Sequence, residues 1–342
     1  MTAVTVPRPG EVQAIIDRSP PAVARRMAGV ETRLAEVMGQ AAGPLSAHAS
    51  SMIEAGGKRL RPLLVFLAAE ATGGGEADPP SGATCEAALV RAAVSVELVH
   101  SATLVHDDVL DAADLRRGRP TVVAAAGRPM AIAAGDLLFS RAFAELARND
   151  SGAQLRALSD ASSALAEGEL LQREDAYATA VPLRRYLHRC ELKTARLFAA
   201  AARLGALAGS SPNGLANALG SFAQGVGLAF QLLDDILDVS GPAARTGKRR
   251  GTDLLDGTVT LPLILAREHD QSLARTDLRT LGGPAGAEEL CDRIAATGAL
   301  VEARTHALRI IDEAKGHLPA ELAPPTRRLF ERVADAVVDR YS

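Results

Sequence analysis

Two acidic segments with the same spacing carry the residue types best suited to metal chemistry. They are Asp107–Asp111 (DDVLD) and Asp234–Asp238 (DDILD), and each follows a long, mostly apolar stretch. On a helix, residues four apart lie on one face, so the first and last aspartates of each segment point the same way. Carboxylates grouped at the end of an apolar helix repel one another unless cations neutralise them, and Mg²⁺ binds such oxygens together with phosphates and water. The spacing therefore predicts two magnesium–diphosphate sites.

Other interpretations of these segments explain less. One DDxxD segment alone is more typical of a solvated helix end, but two copies at the ends of apolar helices favour metal sites. An EF-hand is excluded because its glycine and glutamate positions are missing. A glycosidase-type pair of carboxylic acids would leave the second copy unexplained.

Three basic segments could contact phosphates directly. They are residues 56–62 (GGKRLRP), 115–121 (LRRGRPT) and 247–253 (GKRRGTD). Taken singly, each is typical of a charged surface turn. Two of them come shortly after an acidic segment, which favours a metal–phosphate site over a nucleic-acid groove, because aspartates repel a phosphate backbone. The formal net charge of −3 likewise gives no reason to expect nucleic-acid binding.

The elements that must position these segments are helices. Hydrophobic residues make up 47% of the chain and aromatic residues only 3%, which favours closely packed helices rich in Ala, Leu and Val. Alternating strand patterns are scarce, so the expected fold class is all-α. Apolar spacings of three and four predict helices over roughly 20–40, 60–72, 83–111, 130–148, 152–174, 183–209 and 214–239. We expect a flexible N-terminal tail over 1–10 and one helical domain over 11–342, with its motifs between about 50 and 265.

Nothing in the sequence predicts export or a membrane span. The first residues lack a basic region followed by an apolar one, so no secretory signal is expected. The three cysteines, Cys85, Cys190 and Cys291, have no metal-site spacing and fit a reducing cytosol. The uncharged stretch 204–233 is interrupted by a turn signal at 210–214, which predicts two buried helices rather than a transmembrane segment. We therefore expect a cytoplasmic protein.

In their order along the chain, these segments resemble one enzyme family, the trans-isoprenyl (polyprenyl) diphosphate synthases. The likeness is greatest to the medium- and long-chain synthases, whose first acidic motif is DDxxD. The matching stretches are GGKRLRP (56–62), ELVHSATLVHDDVLDAADLRRGRPT (97–121), AGDLLFSRA (134–142), ELKTARLFAAAARLGA (191–206), FQLLDDILDVSG (230–241) and TGKRRGTDLLDGTVTLP (246–262).

The resemblance implies both a fold and a reaction. The fold would be the isoprenoid synthase fold, a single-domain bundle of long antiparallel helices around a deep central cavity, usually as a homodimer. The enzyme would be a magnesium-dependent prenyltransferase. It would condense an allylic prenyl diphosphate with isopentenyl diphosphate, lengthen the all-trans chain and release pyrophosphate.

The resemblance also assigns roles to individual residues. Three Mg²⁺ are implied, two held by Asp107 and Asp111 with Asp108 in support, and the third held by Asp234 with Asp235 and Asp238 nearby. The allylic diphosphate would be contacted by Arg116, Lys193, Thr194, Gln231 and Lys248. Isopentenyl diphosphate would be bound by Gly57, Lys58, Arg61, His100 and Arg117. Arg249 departs from the proline that the family commonly has after the lysine, which would make this loop more flexible or more basic.

Product length is expected to depend on the wall of the cavity before the first acidic segment. In related enzymes, bulky aromatic residues there shorten the product. The candidates here are Val99, Ala102 and Thr103, with Phe143 as a lower floor. Because Ala102 and Thr103 are small, the hypothesis is a product of geranylgeranyl length or longer.

Two other functions remain open on the sequence. A class I terpene cyclase would share the fold and the metal chemistry but needs no isopentenyl diphosphate site, so the 56–62 segment argues against it. A catalytically dependent subunit of a heteromeric prenyl synthase would be expected to lose aspartates or basic contacts. Here both acidic segments are complete.

Overall fold

The computed structural model describes residues 10–39, 43–54, 57–73, 81–116, 118–178, 180–209, 213–241 and 249–339. The first helices are α1 (Glu11–Ile16), α2 (Pro21–Gly39), α3 (Pro44–Glu54), α4 (Leu60–Ala71) and α5 (Ser81–Leu110). A two-stranded antiparallel hairpin of β1 (Leu115–Arg116) and β2 (Arg119–Pro120) follows. The next helices are α6 (Val122–Ala126), α7 (Arg128–Ala147), α8 (Gly152–Glu174) and α9 (Leu183–Cys190).

A π-helix (Glu191–Ala195) then leads directly into α10 (Arg196–Leu207). The remaining helices are α11 (Asn213–Ser240), α12 (Thr252–Leu255), α13 (Leu261–His269), α14 (Gln271–Ala274), a 3₁₀ turn (Leu278–Thr280), α15 (Pro284–Ala296), α16 (Ala299–Gly316) and α17 (Pro324–Asp339). The all-α fold class expected from the sequence is confirmed.

Helix α5 lies at the centre of the fold. Val94, Val96, Leu98 and Val99 all have no exposed surface, so the helix is covered around its whole circumference. A helix that is apolar on every side must be surrounded by other helices, and α5 packs against α2, α4, α7 and α10. The first acidic segment, at the C-terminal end of α5, is therefore positioned by a buried helix that its neighbours hold in place.

The second acidic segment is positioned by α11 in a similar way. Helix α11 packs against α10 and α16, and Phe222 meets Phe330 of α17 edge-on at 5.4 Å between ring centroids. One hydrophobic core runs from Ile15 to Val337. The C-terminal helices therefore stabilise the same core as the helices that carry the motifs.

The long helices agree with the sequence expectation to within a few residues, as for 83–111 against Ser81–Leu110 and 214–239 against Asn213–Ser240. The segment expected over 183–209 is interrupted by the π-helix Glu191–Ala195. Short helices such as α3 were not expected.

One described helical segment, Cys85–Leu110, is long and apolar enough by composition to cross a membrane. About two thirds of its apolar window is buried inside the protein, as in the core helix of a globular fold. In the uncharged stretch 204–233, residues 204–207 form the end of α10 and residues 213–233 most of α11, whereas residues 210–212 of the expected turn lie outside the described residues.

Candidate active site

A cavity of about 550 Å³ lies between α5, α8, α10 and α11. Its wall combines carboxylates and cations with apolar side chains from the same helices. The apolar part includes Leu104, Leu165, Leu197 and Phe230. Both acidic segments reach this one cavity, so the structure brings together elements more than a hundred residues apart in the chain.

The first acidic segment divides its aspartates between the cavity and the core. Asp107 and Asp111 both line the cavity, whereas Asp108 is buried and accepts a hydrogen bond of 2.7 Å from the Arg116 Nε. Burial raises the pKa of Asp107 to about 6; Lys193 acts against this shift and the carboxylate of Glu169 adds to it. Asp107 therefore lies where a cation would relieve an unfavourable charge.

The second acidic segment is divided in a similar way. Asp234 is exposed and lines the cavity. Asp235 also lines it but is buried, and accepts hydrogen bonds from the Tyr186 hydroxyl at 2.6 Å and from the Gln231 Nε2 at 2.7 Å. Burial raises the pKa of the Asp235 carboxyl, and the nearby charge of Asp253 adds to the shift. Asp238 is not among the lining residues, and its side chain accepts the backbone N–H of Asp253 at 3.2 Å.

Lys193 and Thr194 reach the cavity from the π-helix. Lys193 forms an ion pair with Glu169 of α8. Burial lowers the pKa of the Lys193 ammonium, but the charges of Asp107 and Glu169 outweigh it, and the pKa is raised. The Thr194 hydroxyl donates to the Gln231 Oε1 at 2.7 Å. Single π turns are frequent at functional sites, and here one places a charged and a polar side chain toward the same space.

The close approach of α8 to the π-helix requires glycine at position 168. A Cβ on Gly168 would lie 2.5 Å from the backbone nitrogen of Lys193. This contact places the next residue, Glu169, against the Lys193 ammonium. The pairing depends on tertiary packing between two helices that the sequence does not bring together.

Several charged residues at the site, among them Glu169, Arg173 and Asp253, were not singled out from the sequence. Glu169 and Asp253 line the cavity, and Arg173 donates to the Asp111 Oδ1 at 2.6 Å and to the Glu169 Oε1 at 2.8 Å. Glu169 and Arg173 are four residues apart on α8, a spacing that is usual for exposed helix ion pairs. Their spacing therefore gave no signal of a site.

The residues expected to bind isopentenyl diphosphate are divided between the cavity and the loop before α4. Arg61 and His100 line the cavity, while Gly57 and Lys58 are exposed and lie outside its lining. The Arg61 guanidinium carbon lies 4.5 Å from the centre of the Phe198 ring. Burial lowers the pKa of Arg61 to about 10, and its Nε has no hydrogen-bond partner among the described residues. A buried donor without a partner fits an anion-binding group.

Two of the expected contacts, Arg117 and Lys248, lie outside the described residues. Among the length candidates, Thr103 lines the cavity. Val99 and Ala102 are fully buried between helices and, like Phe143, are not part of the lining. Phe139, one helical turn before Phe143, does line it.

The donor set fits Mg²⁺ bound together with a substrate. Within the described part of the chain, no three His, Cys, Asp or Glu side chains form a site that would hold a metal ion alone. Mg²⁺ needs no such cage, since it commonly binds one or two carboxylates with phosphate oxygens and water. Asp107, Asp111 and Asp234 line the cavity, and their carboxylates are hard oxygen donors of the kind that Mg²⁺ prefers.

Comparison with known proteins identifies the family to which this chain is similar. The chain matches the family model described as Polyprenyl synthetase over residues 43–295. It is 41% identical over 240 residues to heptaprenyl diphosphate synthase component 2 of Geobacillus stearothermophilus, covering 70% of this chain and 72% of that protein. It is 38% identical to the (2E,6E)-farnesyl diphosphate synthase of Mycobacterium tuberculosis, covering 84% of this chain and 80% of that protein.

A solved structure covers nearly the whole chain. The polyprenyl synthase of Caulobacter crescentus CB15, crystallised with calcium and isoprenyl diphosphate, is 34% identical and aligns with a TM-score of 0.86 over 98% of this chain and 100% of that one. The family match, the relatives and the fold together define a trans-prenyltransferase of the isoprenoid synthase fold, a class of enzyme that uses Mg²⁺. The chain belongs to the polyprenyl synthetase family, whose members condense an allylic prenyl diphosphate with isopentenyl diphosphate.

The raised pKa of Asp107 predicts a cost in stability for the metal-free enzyme. The pKa rises from 3.8 to about 6, so the folded state holds this proton more tightly than the unfolded state does. The free energy of unfolding should fall as the pH rises through this window, by about 1–3 kcal/mol. Asp107→Asn removes the ionisation and should raise stability by that amount at about pH 8, with little change near pH 4.

Urea denaturation in the presence of a chelator measures this effect. Asp160→Asn on the exposed face of α8 is the matched control and should leave the free energy of unfolding unchanged at both pH values. Equal or lower stability of Asp107→Asn at the higher pH would show that Asp107 carries no unfavourable charge.

Proposed function

We propose that this chain elongates an allylic prenyl diphosphate with isopentenyl diphosphate to an all-trans product of geranylgeranyl length or longer, using three Mg²⁺. The observation that carries the proposal is that Asp107, Asp111 and Asp234 line the same cavity as Arg61 and His100. Carboxylates that can hold a metal–diphosphate and nitrogen donors that can hold a second diphosphate line the same cavity.

Asp107, Asp111 and Asp234 would hold the Mg²⁺, with Asp108 and Asp235 behind them. The metal ions would neutralise the charge that develops on the departing pyrophosphate. In the reaction, the allylic C1–O bond breaks, the isopentenyl double bond forms a carbon–carbon bond to C1, and a proton leaves to complete the new trans double bond.

The chain's own residues contribute charge and orientation to this step. Lys193, held in its charged form beside Asp107, adds a cation at the acidic wall. The hydrogen bonds from Thr194 to Gln231 and from Gln231 to Asp235 fix these polar groups relative to one another. Preorganised groups of this kind stabilise developing charge without reorganising during the reaction.

The apolar wall would protect the allylic cation. Leu104, Leu165 and Phe230 line the cavity beside the charged groups. A wall of this kind excludes water, which would otherwise trap the cation as an alcohol.

Product length is proposed from the wall near Thr103. Relatives of similar identity are named for farnesyl and heptaprenyl products, so overall similarity does not set the length. Thr103 is small and lines the cavity, while Phe139 lines it from α7. Room beside Thr103 favours chain growth beyond farnesyl diphosphate.

Chromatography of the products made from farnesyl diphosphate and isopentenyl diphosphate tests this proposal. The natural enzyme should make geranylgeranyl or longer chains, and Thr103→Phe should shorten them by at least one isoprene unit. Thr103→Ser, which keeps the hydroxyl and the small size, should not change the product. A natural enzyme that makes no product beyond farnesyl would contradict the proposed length.

We further propose a cytoplasmic homodimer.

The second candidate function is a catalytically dependent subunit of a heteromeric synthase, which the 41% identity to a protein named as a synthase component favours. Turnover by the purified chain alone separates the two. A terpene cyclase is disfavoured because Arg61 and His100 offer contacts for a second diphosphate.

A further inference from the structure

The loop before α4 contains an arginine that the reaction does not use directly. Arg59 stands between Lys58 and Arg61 and is the N-cap residue, directly before the first residue of α4. Its backbone is left-handed, with φ 51° and ψ 33°. A residue other than glycine rarely adopts this backbone conformation, which persists only where surrounding contacts fix it. Contacts with other parts of the protein must therefore hold the loop in this conformation.

The Arg59 side chain supplies that hold. It is 9% exposed and contacts three different helices. Its Nε and one terminal nitrogen bind the Glu31 carboxylate of α2 at 2.6 and 3.0 Å. The other terminal nitrogen binds Glu97 of α5 at 2.6 Å, and the Ile53 carbonyl of α3 accepts a bond of 3.2 Å. One guanidinium thus joins the loop to all three neighbouring helices.

Glu97 links this anchor to the cavity. It is buried on α5, one helical turn before His100, which lines the cavity. Its charge also acts on the Arg61 guanidinium. With Arg59 in place, Glu97 is neutralised by a short ion pair, and Arg61 stays directed toward the cavity. Without Arg59, the buried Glu97 carboxylate would lack this partner and would attract the Arg61 guanidinium away from the cavity.

We propose that Arg59 is a positioning residue for isopentenyl diphosphate. By fixing the loop and satisfying Glu97, it sets the placement of Lys58 and Arg61. The inference rests on the proposed assignment of Lys58, Arg61 and His100 to the diphosphate of this substrate. The described residues assigned to the allylic diphosphate and its Mg²⁺ lie on α5, β1, the π-helix and α11 and directly after α5, outside the loop that Arg59 holds, so binding of this substrate should not depend on Arg59.

Steady-state kinetics of Arg59→Met test the proposal. The KM for isopentenyl diphosphate should rise at least tenfold, while kcat and the KM for the allylic diphosphate stay within about threefold. The matched control is Arg26→Met. Arg26 is likewise a buried arginine that binds two glutamates, Glu70 of α4 and Glu86 of α5, but it makes no hydrogen bond to the described residues of the loop. It should lower the melting temperature similarly without changing either KM.

Further variants separate the possible failures. Lys58→Ala tests the substrate site itself and should raise the same KM. If it does and Arg59→Met does not, the inference about Arg59 is wrong; if Lys58→Ala and Arg61→Ala both leave this KM unchanged, the assignment of the site is wrong. Equal KM changes in the Arg26 and Arg59 variants would also overturn the inference. If Arg59→Met does not fold, Glu31→Gln takes its place as the test. It weakens the ion pair of Arg59 with Glu31, which is the more exposed of its two glutamate partners, and is expected to fold and to raise the KM for isopentenyl diphosphate about threefold.

Discussion

An Asp107→Asn enzyme is expected to fold and yet to lose about a thousandfold in kcat. Asparagine keeps the size of the side chain but removes the charge that would hold the metal ion. Asp107 lines the cavity beside Lys193 and Glu169, so this change falls at the centre of the charged wall. The same substitution is expected to stabilise the metal-free protein, which separates lost chemistry from lost folding.

Single-turnover measurements with a labelled allylic diphosphate quantify the loss. Saturating isopentenyl diphosphate should not restore the rate, because the missing charge acts on the departing pyrophosphate. Asp160→Asn, exposed on α8, should retain the full rate. A rate for Asp107→Asn within tenfold of the natural enzyme would remove Asp107 from the catalytic set.

Lys193→Met is expected to lower kcat about a hundredfold. The Lys193 ammonium is the cation whose charge most lowers the pKa of Asp107. Without it, the pKa of Asp107 should rise further. Activity should then be lost at a higher pH on the acid side than in the natural enzyme, in addition to the fall in rate.

The dependence of kcat on pH distinguishes this role from a structural one. Lys315→Met, which breaks an ion pair with Asp335 on the surface, should leave both kcat and the acid side of the profile unchanged. Lys193→Arg keeps the positive charge. Compared with Lys193→Met, it should bring the acid side of the pH profile closer to that of the natural enzyme than it brings kcat. An unshifted profile with an intact rate would show that Lys193 acts only on stability.

The sequence was sufficient to predict the helices that carry the acidic segments. An almost continuous apolar stretch predicted α5 as a buried helix, and the four-residue spacing predicted that Asp107 and Asp111 share a face. Both side chains line the cavity. These features follow from local periodicity, which a single sequence expresses directly.

Rotation of a helix within the bundle was beyond such reasoning. Thr103 faces the cavity, but its neighbour Ala102 is fully buried, because adjacent residues of a helix point in different directions. Which of them lines the cavity depends on how α5 is turned by its contacts with α4 and α7.

The charged groups supplied by α8 were also beyond local reasoning. The π turn at Glu191–Ala195 and the glycine contact at Gly168 together bring Lys193 to Glu169. Lys193 was assigned a role from the family resemblance, but Glu169 does not differ from an ordinary helix residue in the sequence. Its pairing with Lys193 becomes visible only when the two distant helices are packed against each other.

The most direct test of the account measures pyrophosphate release and chain growth together, with the purified chain, Mg²⁺ and farnesyl diphosphate. Pyrophosphate should appear only when isopentenyl diphosphate is added, with one isoprene unit added to the chain for each pyrophosphate, and a chelator should stop both. Release of pyrophosphate without isopentenyl diphosphate, with a cyclic product, would contradict the account, as would turnover that begins only when a second protein is supplied.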